Sequence, residues 1–236
     1  MQRIHRRGLS PDPKKNAPLG GRGLFGGSMT VRFGLLAFLF CLLIVTFFRP
    51  EAITPLKGPI DDIFLKKAGE LAIIYGTGDE DGPILEPYAR RVSELLGKKL
   101  SVEIPVYADT EVSGSVLKKR SLILYGPVGN NRVARNMSAS FPFAFSGSHL
   151  ARSRGEATVR DPWRLIFIIP NPYDIQRYVL IYTAGRAEDV VGINILDHPN
   201  FLRGDKTDYV LAAGAVVLEQ GYFDKQDSTA WRLADD

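Results

Sequence analysis

No charged residue and no proline interrupts the chain between Arg32 and Arg49. A helix over Phe33 to Phe48 covers roughly 24 Å at 1.5 Å per residue, against a hydrocarbon core of about 30 Å. Snorkelling arginines at the two ends, with Val31 at the margin, close the difference. A buried helix of a globular domain would carry a polar face, and this segment carries none. A secretory signal peptide shares the layout of a basic leader and an apolar run. Its small-x-small cleavage site is missing, because Phe47, Phe48, Arg49, Pro50 and Glu51 stand there. Cys41 lies mid-run behind bulky Phe40, which argues against a lipoprotein cysteine. Residues 31–49 therefore read as an uncleaved transmembrane helix, with a removed signal peptide as the alternative.

The flanks set an expected orientation. Seven basic residues precede Phe33 (Arg3, Arg6, Arg7, Lys14, Lys15, Arg22 and Arg32), and Asp12 is the one acid among them. The positive-inside rule keeps this tail in the cytoplasm and sends the C-terminal part across. Residues 1–30 are rich in Gly, Pro and basic side chains, a composition expected to stay disordered and to meet anionic lipid. The expected location is the bacterial inner membrane, with a periplasmic C-terminal domain.

That tail also explains a pI of about 9.1. Residues 49–236 carry 23 basic and 25 acidic side chains, a net charge of −2. A nucleic-acid partner is not expected, and Lys118-Lys119-Arg120 reads as a solvated flank rather than a phosphate patch. The single cysteine lies in the apolar run, so the domain makes no disulfide. Its length is enough to bury a core without one.

After a Pro-containing linker and lead-in over 50–69, strand-like and helix-like segments alternate through 70–236. "LAIIYGTG" (71–78) reads as a buried strand ending in glycines. "PILEPYARRVSELLG" (83–97) has helical spacing, with Ile84, Tyr88, Val92, Leu95 and Leu96 on one face, Pro83 in the first turn and Gly97 as the cap. "SVEIPVYAD" (101–109), "SLILYG" (121–126), "RLIFIIPNP" (164–172), "RYVLIYTAG" (177–185) and "TDYVLAAG" (207–214) read as strands, the last as the final core strand. "HLARSRGEATV" fits a small hairpin or edge strand, and "RAEDVVGINIL" (186–196) a helix. Strands separated by helices predict a three-layer α/β domain, Rossmann-like or flavodoxin-like, with a mainly parallel sheet.

Several of these stretches resemble one bacterial module. "KGPIDDIF", "SLILYGPVGNNRVARNM", "IPNPYDIQRYVLIYTAG" and "TDYVL" are similar to the α/β accessory domain that follows an α/β-hydrolase domain in some exported esterase or peptidase-like proteins. That module has a strand of the type N-L-I-L-x-G-x-P-x-x-N leading into a helix, then an N-P-x-x-x-x-R-Y-V strand, then a D-Y-V strand. The resemblance spans roughly residues 57 to 214. It implies an α/β fold and no assigned activity. The hydrolase domain is replaced here by the apolar run, so no hydrolase activity carries over.

Candidate chemistry is sparse. Gly76-Thr77-Gly78 follows a strand, but the third fingerprint position is Asp81, and Asp79, Glu80 and Asp81 would repel a pyrophosphate. A flexible strand-to-helix turn is the plainer reading. Gly129, Asn130 and Asn131 precede a helix, with Arg132 and Arg135 behind them, and form a candidate ligand site for an anion; Asn130 also suits an N-cap. Asn171 and Tyr173, between Pro170 and Tyr178, are a second candidate near a strand end. No G-x-S-x-G elbow occurs, and "FSGSH" with Ser146, Ser148 and His149 reads as a polar loop. Two histidines and no cysteine beyond residue 49 leave few zinc ligands, and the spacing of Asp197, His198 and Asp205 requires no site. No metal, cofactor or catalytic residue is assigned.

The expected role is binding or scaffolding at the cell envelope, with an accessory subunit of an inner-membrane complex and an envelope hydrolase as alternatives. In the apolar run Gly34, Ala37 and Cys41 share one helical face, where small residues permit close helix packing on a protein partner. The orientation has a direct measurement. C-terminal fusions are expected to be active with alkaline phosphatase and dark with a fluorescent protein that matures only in the cytoplasm. The reverse pattern would overturn this topology.

Overall fold

The computed structural model describes residues 56–146, 149–152, 162–191, 207–214, 216–229 and 231–234. The chain divides into two compact units, Met1–Ala52 and Ile53–Asp236, and every described residue belongs to the second. The expected membrane helix with Gly34, Ala37 and Cys41, and the Asp197, His198 and Asp205 group, lie outside these residues. Among the described residues no helix is long and apolar enough to cross a membrane.

Seven strands form one mixed sheet in the order β2-β1-β3-β7-β6-β8-β9. They are β1 (Leu71–Tyr75), β2 (Val106–Ala108), β3 (Ser121–Tyr125), β6 (Arg164–Asn171), β7 (Asp174–Ala184), β8 (Tyr209–Ala213) and β9 (Val216–Gly221). The expected parallel arrangement holds for β2, β1, β3 and β7. The other three strands each pair antiparallel with their neighbours, so the sheet is mixed, with its core mostly parallel. The cause is local. Only Pro172 and Tyr173 separate β6 from β7, and so short a turn closes a hairpin but cannot make the crossover that parallel pairing needs. "SVEIPVYAD" contributes only three strand residues, and "TDYVLAAG" is followed by a further strand, β9, on the sheet edge.

Helices α1 (Asp62–Lys66), α2 (Gly82–Leu100), α3 (Gly114–Lys119), α4 (Arg132–Met137) and α5 (Ala187–Val191) connect or flank the strands. In α2 the buried stripe is Leu85, Ala89, Val92 and Leu96, whereas Leu95 is exposed. Ile84 and Tyr88 pack on its flank. Gly97 is not the cap but lies inside the helix. Ser101 caps it with φ 56°, and the N–H groups of Ser101 and Val102 both donate to the Gly97 carbonyl. A Cβ on Gly97 would lie 2.8 Å from the Val102 carbonyl, so this close exit of the chain is what requires glycine.

Tyrosines mark the two faces of the sheet. Tyr75, Tyr125 and Tyr182 are register partners on β1, β3 and β7, so they form one row across three parallel strands. Tyr88 of α2 meets Tyr125 edge-on at 5.4 Å, and Tyr125 stacks on Tyr182 at 4.9 Å. Phe167 pairs with Ile181, one residue before Tyr182, so it points to the opposite face. There the hairpin β4 (Phe143–Ser146) and β5 (His149–Arg152), with Phe141 before it, lays Phe141, Phe143 and Phe145 against Phe167. Of "FSGSH", Ser146 and His149 pair across this hairpin.

The lead-in belongs to the same core, since Ile60, Ile63 and Phe64 are buried. The Gly58 N–H donates to Tyr178 Oη, which donates to Asp62 Oδ2. Asp208, fully buried before β8, accepts from the Phe223 N–H and pairs with Lys225 at 2.6 Å. Lys225 also sits 4.7 Å over the Trp231 ring. These contacts tie the C-terminal hairpin β10 (Phe223–Asp224) and β11 (Arg232–Leu233) to the start of the domain.

Two substitutions separate packing from polar groups. Tyr125 Oη is buried without a hydrogen-bond partner, so Tyr125→Phe removes a desolvated hydroxyl at no loss of packing. It is expected to leave stability unchanged or raise it by up to ~1 kcal/mol. Phe167→Ala opens a cavity under the rings of Phe141, Phe143 and Phe145 and is expected to cost about 3–5 kcal/mol. Urea unfolding of each variant measures both; a loss above ~2 kcal/mol for Tyr125→Phe would mean that its hydroxyl is bonded in solution.

Candidate functional site

The chain leaves β1 for β2 on one side and later places β3 on the other. The topological switch point therefore lies between the carboxyl ends of β1 and β3, where open α/β sheets bind their ligands. Two loops meet there, Gly76 to Asp81 after β1 and Gly126 to Asn131 after β3.

These loops are pressed together. The Gly76 N–H donates to the Tyr125 carbonyl and the Gly78 N–H to the Asn130 carbonyl. A Cβ on Gly78 would lie 2.7 Å from that Asn130 oxygen, so the approach itself demands glycine. Asp79 and Glu80 then turn the chain with φ of 49° and 64°, in the left-handed region. Gly76-Thr77-Gly78 is accordingly a tight strand-to-helix turn.

The residue that organises the second loop is Asn131, which is fully buried. Its Oδ1 accepts from the N–H groups of Val133 and Ala134, and its Nδ2 donates to the Tyr125 carbonyl. Asn131, not Asn130, is the N-cap of α4. Asn130 instead donates from Nδ2 to Asp81 Oδ2 at 3.0 Å, across to the other loop. Gly129 is exposed, and its carbonyl accepts from Arg135 Nη1.

Asp109, just past β2, completes the arrangement. One carboxylate oxygen accepts from the Arg132 N–H at 2.6 Å, and the other from Thr77 Oγ1 at 2.7 Å. The first-turn donors of α4 are thus met by Asn131 and by a buried carboxylate from the chain itself. An added anion would face Asp109 at close range in a site of low dielectric. At the switch point Thr77, Asp81, Asp109, Asn130 and Asn131 are thus bonded to one another or to the neighbouring backbone. Burial pushes the Asp81 carboxyl above its usual 3.8; the Asn130 hydrogen bond opposes this, and Asp79 and Glu188 add to it.

The five candidate ligand residues separate in space. Gly129, Asn130 and Asn131 stand at the switch point. Asn171 and Tyr173 stand in the β6–β7 turn, at the amino ends of the parallel strands. Asn171 is buried; its Nδ2 donates to the Leu117 and Arg120 carbonyls, and its Oδ1 accepts from the Tyr173 N–H. It locks the turn to the end of α3. Tyr173 projects outward, 39% exposed. Arg177 beside them pairs with Glu70 and with Asp174.

Two features went unseen in the sequence. Asp109 carries no motif around it, and only the fold brings it to Thr77 and Arg132. An open groove of about 700 Å³ lies between the last turns of α2 and residues 101–106, lined by Arg90, Glu94, Lys98 and Glu103 among others. Among the described residues no group of three His, Cys, Asp or Glu side chains is placed to hold a metal.

No protein-family model and no curated protein matches the chain. Asn171, Tyr178 and Asp208, which lie in the stretches that carry the resemblance noted above, are all buried and hydrogen-bonded within the fold.

The raised Asp81 gives a pH test of the loop contact. A carboxyl held above its unfolded value penalises the fold once it ionises, and the penalty fades as pH falls below the unfolded value. Asp81→Asn keeps an acceptor for Asn130 and removes the charge. It is expected to melt higher than wild type at pH 7, with the gap closing below about pH 4. Asn131→Ala strips the cap and removes one of the two hydrogen bonds to the Tyr125 carbonyl, and is expected to cost roughly 1–3 kcal/mol at either pH. A gap that widens in acid for Asp81→Asn would contradict the burial of this carboxyl.

Proposed function

We propose that this protein is a membrane-anchored, non-catalytic α/β binding or scaffolding protein of the bacterial cell envelope. The reading takes residues 31–49 as an uncleaved anchor, residues 1–30 as a cytoplasmic tail and the domain as periplasmic. The basic flank and the missing cleavage site support it. We also read the fold as flavodoxin-like in the broad sense, on the strand order β2-β1-β3 with a parallel neighbour, and as kin to the accessory module that its motifs resemble.

The observation that carries the binding role is the sheet edge. In β9 Val216, Val217 and Leu218 are 64%, 45% and 53% exposed, and Tyr222 beyond it is 57% exposed. An apolar edge strand offers unpaired backbone groups and greasy side chains to an added strand. The carboxylates of Asp81 and Asp109 at the switch point disfavour an anionic small ligand there. The exposed apolar edge also favours the second reading, an accessory subunit of a larger inner-membrane complex.

Purification of the full chain in mild detergent tests both. A protein partner is expected to co-purify with wild type and to be lost with Val217→Lys plus Leu218→Lys, at equal membrane abundance. An accessory subunit would lose it with Gly34→Leu plus Ala37→Leu as well, since these block close helix approach without reducing apolarity. Equal recovery with all three chains, or no partner with wild type, would overturn the binding role.

A further inference from the structure

We propose that the end of the domain carrying the helix C-termini is a docking face for anionic phospholipid, held against the membrane that anchors the chain. The proposal rests on the anchor reading and adds a site on the domain itself. It begins from topology. Helices α1, α2 and α3 each end just before a parallel strand begins, so the segments leading into β1, β2 and β3 share one end of the sheet. Each of these helices has lysine in its last turn, Lys66 in α1, Lys98 and Lys99 in α2, and Lys118 and Lys119 in α3. One lysine per terminus is explained by the helix dipole. The fold gathers five of them, with Lys67 beside them, onto one face of a domain whose net charge is −2.

Their pairing leaves this face positive. Lys66 is tied to Asp62 and Lys67 loosely to Glu70, while Lys98, Lys99, Lys118 and Lys119 are exposed and make no ion pair among the described residues. Of the carboxylates at this end, Asp61, Asp62 and Asp208 are buried, Glu70 and Asp174 are held by Arg177, and Glu94 and Glu103 are exposed beside Lys98. The acids Asp79, Glu80, Asp81 and Asp109 lie at the other end, where they outnumber Arg132 and Arg135. Two apolar groups project among the lysines, Leu65 at 73% exposed and Tyr173 at 39%. Basic side chains interleaved with exposed apolar ones are the pattern of an interfacial surface. Chain length agrees. On the anchor reading the apolar run ends at Phe48, eight residues before Leu56, a reach of about 28 Å at full extension.

The test uses the full chain in nanodiscs of phosphatidylcholine alone or mixed with phosphatidylglycerol. An environment-sensitive label is placed at Leu65→Cys, and at Glu188→Cys as a control on the far end, both in a Cys41→Ala chain. Acrylamide quenching at residue 65 is expected to fall several-fold in the anionic discs and to stay constant at residue 188. Lys98→Gln, Lys99→Gln, Lys118→Gln and Lys119→Gln together alter only exposed side chains, and are expected to restore quenching at residue 65. Equal quenching of the residue 65 label in both discs overturns the docking face, including the case in which the lysines serve an acidic protein instead. Failure of the chain to stay with phosphatidylcholine discs overturns the anchor reading separately. The face is then decided by flotation with phosphatidylglycerol vesicles, where a roughly tenfold loss of binding in the glutamine variant supports it and unchanged binding overturns it.

Discussion

The domain is organised around the buried carboxamide of Asn131. One side chain caps α4 through two N–H groups and satisfies the last carbonyl of β3. A buried amide with its donors and acceptors met is rigid, because any displacement leaves several polar groups dry at once. The loop it fixes then seats Gly78 and Asp81 of the neighbouring loop. The carboxyl ends of β1 and β3 are held together by that one knot.

The same topology that closes this end gathers the lysines at the other. Crossover helices in an α/β fold return antiparallel to the strands, so their C-termini collect at one end. Lysines that favour helix C-termini are carried there together, and acids in the loops collect at the other end. A chain with almost no net charge in its domain acquires a lysine-bearing end without any segment having been markedly basic. The cluster Lys118-Lys119-Arg120, read alone, is a solvated flank. Its meaning changes once Lys66, Lys98 and Lys99 are brought to the same end.

Legibility in the sequence followed burial. Strands apolar on both faces, such as β1, β3, β6 and β7, were visible as continuous runs, and their order of connection implied helices between them. The antiparallel half was hidden because its direction depends on a loop length, Pro172-Tyr173, rather than on strand composition. Gly97 misled for a related reason: glycine marks a helix end when φ is positive, whereas here it serves a close backbone approach one turn earlier. Strand β9 has the apolar residues of a core strand and lies exposed on an edge, so composition alone could not place it. In the site, Gly129, Asn130 and Asn131 were found, because a polar loop before a helix is a local signal. Asp109 was missed, since its role exists only across 23 residues of sequence separation.

Tyrosine shows how a repeated signal can be structural rather than chemical. Three parallel strands carry tyrosine at register positions near their carboxyl ends, followed at once by glycine in "LAIIYG" and "SLILYG" and three residues later in "LIYTAG". A row of ionisable hydroxyls beneath the place where ligands usually bind would ordinarily suggest proton chemistry. Burial instead raises the Tyr125 and Tyr182 hydroxyls well above 10, and Tyr88 to about 12. Groups so far from neutrality neither accept nor release a proton near pH 7. Their value lies in the rings, which stack across the strands and under α2. The exposed apolar edge at β9 and the lysine-bearing end are the surface features on which the proposed binding role rests.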